Sequence, residues 1–166
     1  MDTAGPDTAC CAELLYLEAD LLDRRQWDDW VALYTDDCVV WVPSWDTEEA
    51  LVSEPEFSVN MMYLVGKAAL LARLHRLRSE DTYAARPPVW TSHAVTNVRI
   101  VGRGDDGIEV SAKWAVLSLE PRRGTSWRGG WYDYLLVRRN DRLMIRRKKI
   151  TLLEDIIDGP VDIHQL

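Results

Sequence analysis

Four carboxylates crowd into one short stretch of this chain: Asp46, Glu48, Glu49 and Glu54 within Trp41 to Pro55, "WVPSWDTEEALVSEP". Closely spaced carboxylates hold a hard cation, activate a water, or keep a loop solvated. A calcium loop places its ligands at regular offsets around a glycine, and this stretch has neither a glycine nor a D-x-D-x-D-G pattern. It reads as a solvated acidic loop. A mononuclear iron site needs two histidines and a carboxylate, and a Rieske cluster needs two cysteines and two histidines in paired spacings. His75, His93 and His164 are far apart in the sequence, and no cysteine stands two residues from a histidine. The expectation is no metal on this chain.

Nucleophilic chemistry has no better footing. There is no G-x-S-x-G elbow, P-loop or G-x-G-x-x-G; "GRGDDG" at 102 to 107 precedes a strand-like run where a phosphate loop needs a helix. One acid–base constellation stands out: Asp37 with His93, helped by Tyr34 or Tyr132. In a cavity, such groups act as general acid and base when burial tunes them. The structural alternative is that Asp37 ends a helix and His93 bonds to backbone within a sheet. Both readings remain open on these residues alone.

The elements that would position these groups fall into two halves. From Thr8 to Arg24, Leu14, Leu17 and Leu21 form an apolar stripe widened by Leu15 and Leu22, with Glu13, Glu18, Asp20 and Asp23 on other faces. Trp27, Trp30, Val31 and Tyr34 repeat as a second helix that Thr35-Asp36-Asp37 stops. Cys38 to Val42 is a β-forming run closed by Pro43. Gly66 to Ser79 reads as a third helix with a basic outer face, which Arg86-Pro87-Pro88 prevents from continuing. The period then changes to two. Val89 to Val101 and Ile108 to Leu119 form a hairpin, with Ile108, Val110, Ala112, Trp114 and Val116 on one face. "EPRRGTSWRGG" reads as a longer loop, Trp131 to Arg138 and Leu143 to Leu153 as two further strands, and the tail leaves the sheet. Helices first and an antiparallel meander afterwards predict one α+β domain over residues 1–166, a curved sheet with helices on its concave side.

Composition narrows the function classes. With 166 residues, 47% hydrophobic and 28% charged, the chain can bury a core without disulfides or a structural metal. A net charge of -7 argues against nucleic acid, which needs a basic field. Arg146, Arg147, Lys148 and Lys149 do not change that, because alternate strand positions face opposite ways. Three cysteines at 10, 11 and 38 match no zinc spacing or disulfide framework and fit a reducing cytoplasm. Neither a signal peptide nor a bilayer-spanning run is visible. Eight Trp against one Phe suit an aromatic-lined cavity, a contact surface or simple core filling.

Three separated segments carry a family resemblance. "LLYLEADLLDRRQWDDWVALYTDDCVVWVP", "PPVWTSHAVTNVRIV" and "RRKKITLLEDIID" resemble the small (beta) subunits of aromatic-ring-hydroxylating dioxygenases, in the same order and at similar spacing. The likeness is sharper to the benzoate, toluate and anthranilate type. There too a strand runs into Pro-x-Trp-Asp, here Pro43-Ser44-Trp45-Asp46, then an acidic stretch, here Glu48 to Glu56. A basic helix and a Thr-Ser-His strand follow, here Lys67 to Arg78 and Thr91-Ser92-His93.

The resemblance implies a nuclear-transport-factor-2-like (NTF2-like, cystatin-like) cone with no catalytic residues of its own. It implies assembly of three small with three large subunits. The large subunit would carry a Rieske [2Fe-2S] cluster and a mononuclear iron, with NADH as ultimate electron donor and a cis-diol as product. On that footing Trp41 and Trp45 are expected contact anchors. Asp46, Glu48 and Glu49 are expected on an acidic rim, and Arg146, Arg147 and Lys148 form a basic surface for a neighbouring small subunit. Two rivals use the cavity with Asp37 and His93: a stand-alone dehydratase or isomerase, and an aromatic-ligand-binding protein.

Overall fold

The computed structural model describes residues 7–47, 49–78, 88–157 and 161–166. Asp7 caps the first helix, α1 (Thr8–Asp23), by accepting from the Cys10 N–H at 2.8 Å. Its buried stripe is Cys11, Leu14, Leu15, Glu18, Leu21 and Leu22. That corrects the expected one in two places: Leu17 is exposed and Glu18 is inside. The spacing explains it, because Glu18 stands four residues after Leu14, three after Leu15 and four before Leu22, at the centre of the face.

The chain reverses through Arg25, at φ 57, into the short helix α2 (Trp27–Ala32). The helix stops earlier than the Trp/Tyr spacing predicts. Tyr34 already belongs to strand β1 (Tyr34–Pro43), where it pairs with Ile145, so Thr35 to Asp37 are strand rather than stop signal. Strand β2 (Asn60–Val65) pairs antiparallel with β1, and Gly66, at φ 81, turns the chain into α3 (Lys67–Arg78). Arg86 and Pro87 of the expected helix break lie outside the described residues.

Four long strands complete the sheet: β3 (Trp90–Gly104), β4 (Gly107–Glu120), β5 (Gly124–Arg139) and β6 (Arg142–Leu152). The order is β2-β1-β6-β5-β4-β3, antiparallel throughout except that β1 runs parallel to β6. The predicted loop "EPRRGTSWRGG" is mostly strand. Only residues 121–123 turn, Glu120 pairs with Gly124, and the ladder continues through Trp127 and Gly130. Glycine there marks a close approach and not a loop: a Cβ on Gly130 would sit 1.9 Å from the Thr151 carbonyl of β6.

One face of the curved sheet and the inner faces of the helices form the core. Val110, Ala112, Trp114 and Val116 of β4 meet Tyr132, Tyr134 and Leu136 of β5 there, with Leu70 and Leu74 from α3. A bulge decides what β6 contributes. Leu136 pairs with Ile145 and Leu135 with Arg147, which leaves Arg146 unpaired between them. The extra residue shifts the alternation, so Lys148, Ile150 and Leu152 point inward behind Ile145. The tail leaves the sheet as expected, then returns: Ile163 and Leu166, around a short 3-10 turn (Ile163–Gln165), are buried in the core.

Candidate functional site

The densest cluster of chemically capable groups lies inside the cone. Glu18 from α1 and Lys148 from β6 are 1% and 2% exposed and form an ion pair at 2.8 Å. The Glu18 carboxylate also accepts from the Tyr34 hydroxyl, from the Tyr134 hydroxyl at 2.7 Å and from the Trp30 indole N–H at 3.3 Å. Burial alone would push this carboxyl up. Attraction to Lys148 and the hydrogen bonds from Lys148, Tyr34 and Tyr134 overturn that and hold it below the ordinary carboxylate range. Burial, reinforced by the Glu18 charge, pushes the hydroxyls of Tyr34, Tyr132 and Tyr134 well up. They stay protonated, which suits donors and not bases. Tyr132 stacks on Trp114, with ring centres 5.2 Å apart, and Lys148 Nζ lies 4.2 Å from its ring centre. The Glu18 carboxylate is thus met by donors on all sides, whereas the buried Tyr132 hydroxyl and Trp114 indole N–H beside it have no hydrogen-bond partner among the described residues.

A second cluster ties the edge of the sheet to α1. Asp23 accepts from the His93 main-chain N–H at 2.8 Å and from the Thr91 hydroxyl at 2.9 Å, and pairs with His93 Nδ1 at 2.6 Å. The carboxylate occupies part of the outer side of β3, an edge strand. Burial would raise Asp23; the bonds from His93 and Thr91 lower it below its ordinary value. His93 Nε2 reaches the Leu166 main-chain oxygen at 3.3 Å, so one imidazole links α1, β3 and the tail.

The acid–base constellation of the rival readings is therefore not assembled. Asp37 binds Arg146 at 3.0 Å on the surface, while His93 binds Asp23. Asp37 is on β1 and His93 on β3, four strand spacings apart in the sheet order, about 19 Å along the sheet. Tyr34 and Tyr132 face the Glu18–Lys148 cluster instead. His75 is exposed on α3, and His164 packs edge-on against Trp27 at 6.0 Å. Among the described residues no group of three or more His, Cys, Asp or Glu is placed to hold a metal. No helix among them is long and apolar enough to cross a membrane.

The expected contact residues divide. The Trp41 indole N–H donates to Asn60 Oδ1 at 2.6 Å and its ring receives Lys149 Nζ at 4.7 Å; Trp45 Nε1 donates to the Leu152 carbonyl at 3.0 Å. Both rings are half-buried and committed within the chain. Asp46 and Glu49 are exposed on the loop that Trp45 pins, and Glu48 lies outside the described residues. Arg147 is exposed and Arg146 half-buried with Asp37. Lys148 is a correction: the bulge turns it into the core, so it is no part of a basic surface. Sequence reasoning missed Glu18 as its partner, although the i+3/i+4 spacing from Leu15 and Leu14 placed that carboxylate on the buried face.

A curved six-stranded sheet closed over helices defines the NTF2-like class, and a putative scytalone dehydratase from Novosphingobium aromaticivorans shares the fold at a TM-score of 0.66 and 16% identity. Within that class, the chain belongs to the ring hydroxylating beta subunit family, whose model matches residues 17–159. It is 33% identical over 157 residues to the 2-halobenzoate 1,2-dioxygenase small subunit of Burkholderia cepacia, covering 92% of each chain. The crystal structure of the benzoate 1,2-dioxygenase beta subunit of Burkholderia mallei superimposes with a TM-score of 0.82 at 28% identity, covering 99% of this chain and 100% of that one. The chain is thus a small subunit of a ring-hydroxylating dioxygenase, a component of an oxidoreductase, and family members of this kind have a large-subunit partner.

Proposed function

We propose that this chain is the non-catalytic small subunit of a cytoplasmic oxygenase that cis-dihydroxylates a benzoate-like aromatic acid. It works as a single domain in an assembly of three large and three small subunits. The large subunit carries the Rieske [2Fe-2S] cluster and mononuclear iron and receives electrons originating from NADH. The small subunit fixes the arrangement of its neighbours, with the acidic loop of Asp46, Glu48 and Glu49 against a basic surface and Trp41, Trp45, Arg146 and Arg147 in or beside the contacts. Likeness to the 2-halobenzoate dioxygenase small subunit over 92% of both chains carries the reading. The interior supports it too, since both of its carboxylates are held by neighbours: Glu18 by Lys148 and two phenols, Asp23 by His93 and Thr91.

Native purification of the chain under mild salt tests this. The expected product is a brown complex with a larger polypeptide near equal stoichiometry, showing a [2Fe-2S] visible spectrum. A colourless chain that emerges alone would defeat it.

A further inference from the structure

One nearly buried charge has no adequate answer among the described residues. Arg128 lies near the start of β5, opposite fully buried Val116 of β4, and its side chain is only 10% exposed. Its Nη1 is sealed from solvent and has no hydrogen-bond partner among the described residues. The ion pair it makes, Nε to Glu154 Oε2, is 3.7 Å long, beyond hydrogen-bond distance. A sheltered guanidinium N–H with no acceptor is costly, because its hydration is lost and a long ion pair at another nitrogen does not replace it. Beside it opens a cleft of about 310 Å³, whose lining includes Arg128, Arg123, Glu120, Glu154, Trp127 and Ile156.

The two large apolar side chains of the cleft are uncovered. Trp127 is 61% exposed and Ile156 83%, with exposed Leu153 nearby in sequence. Arg123 is paired with Glu120 at 3.9 Å, so the unanswered N–H of Arg128 is the cleft's open donor, and a buried donor beside exposed aromatic and aliphatic side chains is an arrangement that a protein partner's anchor residue fills. We propose that the cleft seats an Asp or Glu side chain of the large subunit, whose neighbouring apolar residues cover Trp127 and Ile156. This rests on the reading of the chain as a dioxygenase small subunit. A carboxylate fits because a guanidinium presents paired N–H donors in the geometry of two carboxylate oxygens. A polypeptide fits better than a free acid because the exposed apolar side chains extend beyond the cleft. Charge disfavours a second copy in that seat. The acidic loop is pinned to the same end of the sheet by the Trp45 bond to Leu152, so two-fold pairing there would bring two such loops together in a chain of net charge -7. The partner therefore presents one carboxylate in an apolar patch whose surroundings are basic.

Arg128→Met and Trp127→Ala, each in the full chain, separate the possibilities through two readouts: the melting temperature of the small subunit and its affinity for the large subunit. Arg128→Met is expected to melt no lower than the natural chain, since it removes an unanswered charge, yet to bind the large subunit on the order of 100-fold more weakly. Trp127→Ala, at an exposed position, is expected to leave melting unchanged and weaken binding about tenfold. A lower melting temperature with unchanged affinity for Arg128→Met would make Arg128 a structural partner of Glu154 and overturn the proposal. So would unchanged affinity in both variants, loss of self-association by Arg128→Met without the large subunit, or saturable occupation of the cleft by sodium benzoate with no effect of either variant on assembly. If the natural chain binds no Rieske-type large subunit, the subunit reading itself falls, a result distinguishable from all of these because it needs no variant.

Discussion

Strand β6 makes two ion pairs two residues apart, Arg146 with Asp37 at 3.0 Å and Lys148 with Glu18 at 2.8 Å. Their lengths nearly match and their surroundings do not. The side chains of the first pair are 37% and 56% exposed, and those of the second 3% and 2%. Water and salt compete for the first, so its worth is small. The second has no water to fall back on, and each partner is needed chiefly because the other is there. Which lysine or arginine becomes which is settled by one bulged residue, Arg146, and not by composition.

The sharpest way to break this comparison is Lys148→Met. It strands the Glu18 charge among neutral donors and is expected to cost about 3–5 kcal/mol in urea denaturation. Adding Glu18→Gln removes the stranded charge and is expected to recover part of that loss. A double variant no more stable than Lys148→Met would show that charge is not what makes the site demanding.

Acid probes the buried groups next. Burial pushes His164 down to about 4, so between pH 6.5 and 4 the unfolded chain takes up a proton that the folded chain refuses. Stability is therefore full above pH 6.5 and falls by roughly 2–3 kcal/mol as the pH drops to 4. His164→Phe should flatten that window in denaturation curves run across pH. Glu18 and Asp23, both held below their ordinary values, work in the same direction lower down: their contribution is present above the unfolded carboxylate pKa and is lost as acid protonates them in the fold. The smallest effect belongs to the surface pair. Arg146→Ala is expected to cost about 1 kcal/mol or less, vanishing in high salt. A loss approaching that of Lys148→Met would erase the distinction between the two pairs.

Local spacing made the three helices, most of the strands and the inward face from Ile108 to Val116 legible in the sequence. The failures have a shared physical origin. Tyr34 fits the helical period of Trp27, Trp30 and Val31, but its pairing with Ile145, more than a hundred residues away, claims it for a strand. Gly124 to Gly130 looks like a loop by composition, and close packing against β4 and β6 makes it a ladder. The sequence offers Asp37 as an acid–base partner for His93 near an expected cavity. Asp23 takes that place because α1 packs along β3. Glu18 alone was readable in principle, being on the buried face by simple helical spacing. Arg128 was not, since nothing local distinguishes a sheltered arginine from a solvated one.

On this account the Glu18–Lys148 and Asp23–His93 clusters serve the fold and take no part in turnover. The direct test is the dihydroxylation rate per assembled complex, using small subunits that carry Tyr132→Phe or His93→Asn and a benzoate-type acid as substrate. Rates within about twofold of the natural complex are predicted, whatever the yield of assembly. An intact complex whose rate falls by tenfold or more would contradict the claim and return catalysis to this chain.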